Sequence, residues 1–548
     1  SRGLGDVYKR QPLTVAAQKK GNQKYKKTRE PMKTFDNPDV IITDVMDRHG
    51  KWRAKKTALV CGDRRMTWAT FNRRINRVAN GLIKRGLQKN DKVSLLTNNC
   101  IEALVILFGV IKAGGVIVPL STMVQGQALA RMIVNSDSRF IVVGADQIET
   151  IAPHRSLFNR IAADGFFVIG DSVDEWESCD SLVSYGTDQK PGVRLVYEDP
   201  FNIMYTSGTT GVPKGILHTH HNRTQFATMF AIDFRIDSSA VNIVTTALYA
   251  NGTWLTMLPT LFAGGTLVIM ENFDAVEFLK CVQKEKCTHT FMVPTQFTML
   301  LELPDFETYD IGSMRIWNSA GSPLRAATNA EVIKRFSGEL VEHWGLTEGV
   351  ATTLKPEDMD TKMASVGIPP VGWDVRIIDA SGNECPDGEA GEIVAFSSFL
   401  MPEYYKLPEK TADAIWLDKS GKTYLKTGDM GKLDAEGFLY ILDRKKDMII
   451  SGGINIFASD IEDVLTRHPD VQDAIVIGIP HEKWGETPMA VVIPIPGASL
   501  SEADMLAWLN PKLAKYQRLS AIEFRDDFPR NALGKVLKRK LRDPYWKT

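Results

Sequence analysis

The sequence has little of what marks a secreted, metal-binding or membrane-spanning chain. Six cysteines stand among 548 residues, at positions 61, 100, 179, 281, 287 and 385. None forms a CxxC pair, which excludes the common zinc spacings, and the nine scattered histidines supply no zinc pattern either. Six cysteines in a chain of this length are too few for a disulfide framework, so free thiols in a reducing cytoplasm are expected. Charge of one sign is also missing: 66 Lys+Arg balance 66 Asp+Glu. A neutral chain lacks the basic footprint of a general nucleic-acid binder. The most apolar stretch, EALVILFGVIKAGGVIVPLS (102–121), carries Glu102 and Lys112 and is split by Gly114-Gly115. It reads as helix, turn and buried strand, not as a membrane span. No signal peptide is visible, the final YWKT is not a peroxisomal SKL, and no fixed-period repeat is found.

What is present is average globular composition, 44% apolar and 24% charged, which excludes disorder and collagen-like structure for most of the chain. At roughly 100–200 residues per domain, this length calls for more than one core. The opening SRGLGDVYKRQ reads as sequence foreign to the fold, and the basic 19–30 as a solvated arm or an early helix without assigned function. TWATFNRRINRVANGLIKRG (67–86) has helical spacing, with Gly86 as its C-cap, and KVSLLT (92–97), GVIVPL (115–120) and FIVVGA (140–145) read as buried strands. LVIM (267–270), helical 275–286 and THTFMV (288–293) repeat the alternation, which predicts an α/β lobe on a mostly parallel sheet. From about 365 the texture changes to short strands with Ser-Gly and Asp-Gly turns, hence antiparallel β structure. Beyond Arg444, helices over 460–471 and 501–514 and strands over 473–480 and 488–495 predict a small α+β unit. The expected domains are 13–444 and 445–548.

The strongest chemical signal is YTSGTTGVPKG (205–215), set after the strand FNIM and before ILHTHHNR, read as a helix start. Gly208, Gly211 and Gly215 let the backbone turn tightly and approach anionic oxygens. Thr206, Ser207, Thr209 and Thr210 add hydroxyls and Lys214 a charge. Together they suit a phosphate cradle. The GxxxxGK[ST] spacing of a Walker A loop is absent. A flexible Gly/Ser/Thr linker is the bland alternative.

This segment resembles the P-loop of the adenylate-forming superfamily, which includes acyl-CoA synthetases, aryl-CoA ligases, luciferases and peptide-synthetase adenylation domains. HWGLTEG (343–349) is similar to the family's aromatic-Gly-x-Thr-Glu motif, KTGDMGKLDAEGFLYILDRKKDMIISGGINIFASDIE (426–462) to its ribose-binding, hinge and crossover segment, and PRNALGKVLK (529–538) to its catalytic-lysine motif. Four motifs in the expected order make the superfamily match specific; no single substrate class is favoured as strongly. The resemblance implies an α/β fold with a large N-terminal lobe, made of two α/β subdomains and a β-barrel-like one, and a small mobile α+β C-terminal domain.

It also implies roles. His343, Trp344, Gly345 and Thr347 would contact ATP or AMP, with Trp344 stacking on adenine; a core tryptophan is the alternative. Glu348 is a hard oxygen ligand suited to Mg²⁺. Asp429 would hold the ribose hydroxyls and Arg444 a sugar or phosphate oxygen, with a structural ion pair as the alternative. NSAGSPL (318–324) resembles the turn flanking adenine and the acyl carboxylate, which singles out Ser319, Gly321 and Ser322. Lys535 would stabilise charge building on the α-phosphate, an effect worth about 3–4 kcal/mol for one strong electrostatic donor. Lys446 matches the hinge, and Ser451-Gly452-Gly453 the loop that meets CoA. Where family members carry Pro-Leu-Phe-His before the acyl tunnel, this chain has Ala247-Leu248-Tyr249. Tyr249, Asn251 and Trp254 are the acyl-pocket candidates, with Ser319 at its edge. His220-His221 read as structural.

The expected function is ATP-dependent acid–CoA ligation: acyl-AMP and pyrophosphate from a fatty or aryl acid, then acyl-CoA and AMP. ATP, Mg²⁺ and CoA are implied, in the cytoplasm, without nucleic acid or transmembrane segment; peripheral membrane contact and a homodimer stay open. No appended carrier domain, and so no multimodular peptide synthetase, is expected. The alternatives are a stand-alone enzyme loading a carrier protein, a luciferase-type oxygenase and a non-catalytic nucleotide binder; intact Lys535, Asp429, Glu348 and Lys214 speak against the last.

Overall fold

The computed structural model describes residues 39–206, 214–530 and 536–546. The opening segment and the basic 19–30 lie outside the described residues. Val40–Thr548 form one compact unit.

Two large sheets share a core. One has eight strands in the order Val350–Leu354, Glu339–Leu346, Ile316–Ala320, His289–Met292, Val241–Val244, Thr266–Ile269, Thr57–Cys61 and Arg64–Thr67. Its six inner strands run parallel and the two outermost antiparallel. The other has seven, Glu177–Ser178, Phe166–Ile169, Ser138–Gly144, Lys92–Leu96, Val116–Pro119, Pro200–Thr206 and Lys214–Thr219. Short, wholly apolar strands such as Val116–Pro119 are buried on both faces, as strands of covered parallel sheets are. The helix Ile101–Lys112 is apolar on every face between Glu102 and Lys112 and belongs, with Trp68, Phe71 and Trp254, to the core shared by both sheets. The 102–121 stretch is thus helix, turn and strand, as its two glycines predict. Among the described residues no helix is long and apolar enough to cross a membrane.

Asp374–Ile378, Gly391–Phe396, Ile415–Leu417, Thr423–Leu433 and Leu439–Arg444 form a separate antiparallel sheet. Beyond it the chain builds a smaller α+β domain. Its sheet comprises Ile454–Ile456, Ile449–Ser451, Gly485–Pro494, Val471–His481 and Ile522–Phe524. Ile461, Leu465, Val476, Val492 and Leu509 fill its own core.

Three helix readings need correction. The segment after the Gly-rich loop is a strand, Lys214–Thr219, and its helix starts only at His220. The helix expected over 460–471 is Ala458–Leu465, ended ahead of Pro469. That expected over 501–514 stops at Leu509 before Pro511, whose missing N–H cannot continue the ladder.

Candidate active site

Pro200–Thr206 and Lys214–Thr219 are antiparallel partners, and Thr206 sits directly opposite Lys214. The Gly-rich segment therefore joins two strands of a hairpin. Ser207, Gly208, Thr209, Thr210 and Gly211 lie outside the described residues. Ile216, Leu217 and His218 are buried, and a second segment pairs along this strand: Leu217 N–H donates to the Glu403 carbonyl at 3.2 Å, and Tyr405 N–H to the Gly215 carbonyl at 2.8 Å. This two-sided pairing keeps 214–219 extended. The helix His220–Asp233 begins with a capping box between Thr219 and Asn222, so its first N–H groups are partly used and sit a strand away from the loop.

Lys214 meets its partners at once. Its ammonium lies 4.9 Å from the centre of the Tyr404 ring. The Tyr404 hydroxyl donates to Glu348 Oε1 at 2.8 Å. Burial pulls the Lys214 pKa down, the Lys410 and Lys446 ammonium groups pull in the same direction, and the Glu348 carboxylate opposes them. Lys214 thus has two further lysines and one carboxylate within electrostatic reach, an arrangement suited to a polyanion.

HWGLTEG runs off the end of the strand Glu339–Leu346. Gly345 has no room for a side chain: a Cβ there would lie 2.6 Å from the Val350 carbonyl oxygen. The Trp344 indole N–H donates to Asp429 Oδ2 at 3.2 Å, and Arg444 Nε stands 3.5 Å from Asp429 Oδ1. Asp429 and Arg444 are also cross-strand partners. The ion pair left open by the sequence therefore exists, and it carries the tryptophan with it. Thr347 is held through its carbonyl by His218 Nε2 at 2.8 Å, and Glu348 through its carbonyl by Met401 N–H at 2.8 Å. His343 packs edge-on against Phe230 at 5.1 Å between ring centres, and burial lowers its pKa to about 4. Its imidazole is an uncharged group facing aromatic neighbours.

The strand Ile316–Ala320 delivers the next turn. Ser319 is buried, its hydroxyl without a partner among the described residues, and Gly321 adopts φ +96°. Ser322 follows, half-buried. A cavity of about 300 Å³ opens nearby, lined by Thr245, Thr246, Tyr249, Phe273, Val293 and Gln296 among others. Val293 Cγ1 would be 3.7 Å from a Cβ on Gly321, so the turn borders this cavity. Tyr249 lines the space. Asn251, Trp254 and Ser319 are not among its lining residues. Trp254 is fully buried one turn into the helix Asn251–Ala263 and donates its indole N–H to the Leu248 carbonyl at 2.8 Å. Asn251 turns to Arg223. A more open hollow of about 560 Å³, lined by Arg155, Phe158 and Phe166, contains none of the motif residues.

Whole-chain comparison places these motifs in a known family. Residues 46–405 match the family model described as AMP-binding enzyme, and residues 460–535 the one described as AMP-binding enzyme C-terminal domain. The chain belongs to the AMP-binding enzyme family. A feruloyl-CoA synthase of Amycolatopsis is 32% identical over 498 residues, 90% of this chain and 97% of that protein. A long-chain-fatty-acid–CoA ligase of Mycobacterium tuberculosis is 33% identical over 492 residues, 88% and 94% of the two chains. The ATP-bound crystal structure of MatB from Rhodopseudomonas palustris superposes with a TM-score of 0.84 at 30% identity, covering 92% of this chain and 99% of that one. This AMP-binding enzyme is accordingly an acid–CoA ligase of the acyl-CoA synthetase superfamily.

In the C-terminal domain of the AMP-binding enzyme, Ser451-Gly452-Gly453 form the turn of a hairpin between Ile449–Ser451 and Ile454–Ile456. Gly452 and Gly453 take φ +58° and +81°. A Cβ on Gly452 would lie 2.8 Å from the Trp484 ring, whose backbone carbonyl accepts the Gly452 N–H. Lys446 is exposed on the link into this domain, its carbonyl accepting from Arg542 at 3.2 Å. Lys535 lies outside the described residues; its neighbour Val536 bridges back to Arg530.

Sequence reasoning missed Tyr404, Lys410, His218 and Arg223. The Tyr404–Glu348 contact spans 56 residues, and no local spacing announces it.

Proposed function

We propose that this acid–CoA ligase activates a fatty or aryl carboxylic acid at the ends of the strands that carry Thr206, Ala320 and Leu346. One observation carries the reading: Trp344 bonds to Asp429 and Asp429 pairs with Arg444, while Glu348, four residues after Trp344, accepts from Tyr404, whose ring lies under Lys214. Such crevices at carboxyl ends of parallel strands are where α/β proteins bind ligands. In this reading Trp344 stacks on adenine, Asp429 and Arg444 hold the ribose, and His343 backs the motif. Thr206, Lys214, Thr347 and the loop residues Ser207 to Gly211 grip the phosphates. Ser319, Gly321 and Ser322 orient the acid's carboxylate.

In the first step a carboxylate oxygen attacks the α-phosphorus and pyrophosphate leaves, giving the acyl-adenylate. The protein's part is to align the two anions and offset their charge, Lys535 and Lys214 supplying the positive groups. In the second step the CoA sulfur attacks the acyl carbonyl, the bond from that carbon to the phosphate oxygen breaks, AMP leaves and the thiol proton passes to water. The domain 445–548 turns about Lys446 between the steps and brings the Ser451-Gly452-Gly453 turn to the thiol.

Glu348 fits Mg²⁺ as a hard oxygen ligand whose carboxylate the Tyr404 hydroxyl orients. One carboxylate plus phosphate oxygens and water is the usual magnesium set. Bound there, the ion would neutralise phosphate charge.

Tyr249, Phe273, Val293 and Met299, set among Thr245, Thr246, Thr295 and Gln296, support an aryl or alkyl acid. Acid-dependent exchange of labelled pyrophosphate into ATP, followed by mass spectrometry of the product after CoA is added, tests this. Exchange with cinnamates or fatty acids and an acyl-CoA product support it. Acyl-AMP that CoA never consumes would shift the acceptor to a carrier protein.

A further inference from the structure

Arg223, on the helix His220–Asp233, is 1% exposed, and no carboxylate is paired with it among the described residues. Burial alone lowers its pKa, to about 9, so it remains a cation at neutral pH. A buried charge without a counter-ion is costly and persists when its hydrogen bonds are well satisfied. Here Nε donates to Asn202 Oδ1 at 2.7 Å, Nη1 to Asn251 Oδ1 at 3.0 Å and Nη2 to His218 Nδ1 at 3.2 Å. Its plane lies 4.7 Å from the Trp254 ring and 5.2 Å from that of Phe226.

Two of those bonds lead to different segments of the site. Guanidinium nitrogens only donate, so His218 Nδ1 must accept. That leaves the imidazole proton on Nε2, which donates to the Thr347 carbonyl at 2.8 Å, next to Glu348. Burial holds His218 neutral, as this arrangement needs. On the other side Asn251 opens its helix immediately after Tyr249 and Ala250, which line the cavity.

We propose that Arg223 is a positioning residue that ties the acid-binding edge to the nucleotide-binding edge, through Asn251 on one side and through His218 and the Thr347 carbonyl on the other. The proposal rests on the adenylation reading above. It explains why a planar, multiply bonding cation occupies a place that an apolar side chain could fill.

The test measures MgATP affinity by calorimetry and the KM for whichever of cinnamate or dodecanoate turns over, beside the melting temperature. Arg223→Met keeps the stem and removes the donors. It is expected to raise both the MgATP Kd and the acid KM, each roughly tenfold or more, the scale of a lost hydrogen bond to a charged group. His218→Ala is expected to move mainly the MgATP Kd, and Asn251→Ala mainly the acid KM. Adding His218→Ala to Arg223→Met is expected to weaken MgATP little further. Should Arg223→Met fail to fold, the split between the other two variants carries the test. A lowered melting temperature with both constants unchanged overturns the proposal, as does a failure of His218→Ala and Asn251→Ala to separate the two substrates. If the unaltered protein binds no MgATP, the adenylation reading itself fails; if it binds and Arg223→Met leaves the affinity unchanged, only the role of Arg223 fails.

Discussion

Trp344 and Asp429 lie 85 residues apart in sequence and are joined by a hydrogen bond of 3.2 Å from the indole N–H to Oδ2. The same carboxylate faces Arg444 across the strand pair, 3.5 Å from Nε to Oδ1. One acidic group thus fixes an aromatic plane and a cation together.

Replacing Asp429 separates these functions. Asp429→Asn keeps an acceptor for the indole and removes the charge beside Arg444. The KM for ATP is expected to rise by about 10-fold, and in Asp429→Ala by about 100-fold, with the KM for the acid little changed. Steady-state pyrophosphate release reads both. Equal loss for both substrates would show that Asp429 serves the fold and not the nucleotide.

Tyr404→Phe removes only the hydroxyl that donates to Glu348. Groups that orient a metal-binding carboxylate typically contribute 10–100-fold in metal affinity. The Mg²⁺ concentration for half-maximal rate is therefore expected to rise about tenfold, while the rate at saturating Mg²⁺ recovers most of its value. A Mg²⁺ dependence identical to that of the unaltered enzyme would remove Glu348 from the metal site.

Lys535→Ala is expected to slow adenylate formation by about 10²–10³-fold, the usual cost of one preorganised electrostatic donor. Thioester formation from supplied acyl-AMP is expected to survive, since that step needs no charge stabilisation at an attacked phosphorus. Comparable losses in both steps would refute the role given to this lysine.

Glu342, half-buried beside the 319–324 turn, has its pKa pushed up to about 7, by loss of solvent around it above all, while hydrogen bonds from Leu324 and Asn329 oppose the shift. Below pH 4.5, its usual value, the carboxyl is neutral in both folded and unfolded chains. As pH rises from there to about 7, the unfolded chain releases the proton first, so folding loses stability across that window, on the order of 2 kcal/mol. In Glu342→Gln this loss disappears. Melting temperatures between pH 4.5 and 8 should show a flatter profile for the variant, and parallel profiles would contradict the burial-driven shift.

Much of the fold is written locally. Thr67 caps the helix Trp68–Lys84, and Gly86 follows it at φ +89°, as the spacing predicts. The short apolar strands fall where they were expected because burial on both faces leaves them no polar residue. The strand Lys214–Thr219 was misread because its apolar run suits helix or strand alike, and the decisive partner, segment 403–405, is remote. The type of Trp254 suits a ligand wall, and the fold packs it into the shared core.

The motif residues were legible because each motif is short and its chemistry needs specific groups. What joins them was not. Tyr404 carries no sign of its bond to Glu348, and Arg223 reads as an ordinary surface charge on a helix until the tertiary fold encloses it. Long-range hydrogen bonds leave no local periodicity to read.

The most direct test of the account is ATP-dependent pyrophosphate release over short, medium and long fatty acids, benzoates, cinnamates and small polar acids, each with and without CoA. The account predicts sustained release with fatty or aryl acids only when CoA is present, with the matching acyl-CoA and AMP formed in equal amounts. Release that no acid stimulates, from protein that binds MgATP, would contradict it.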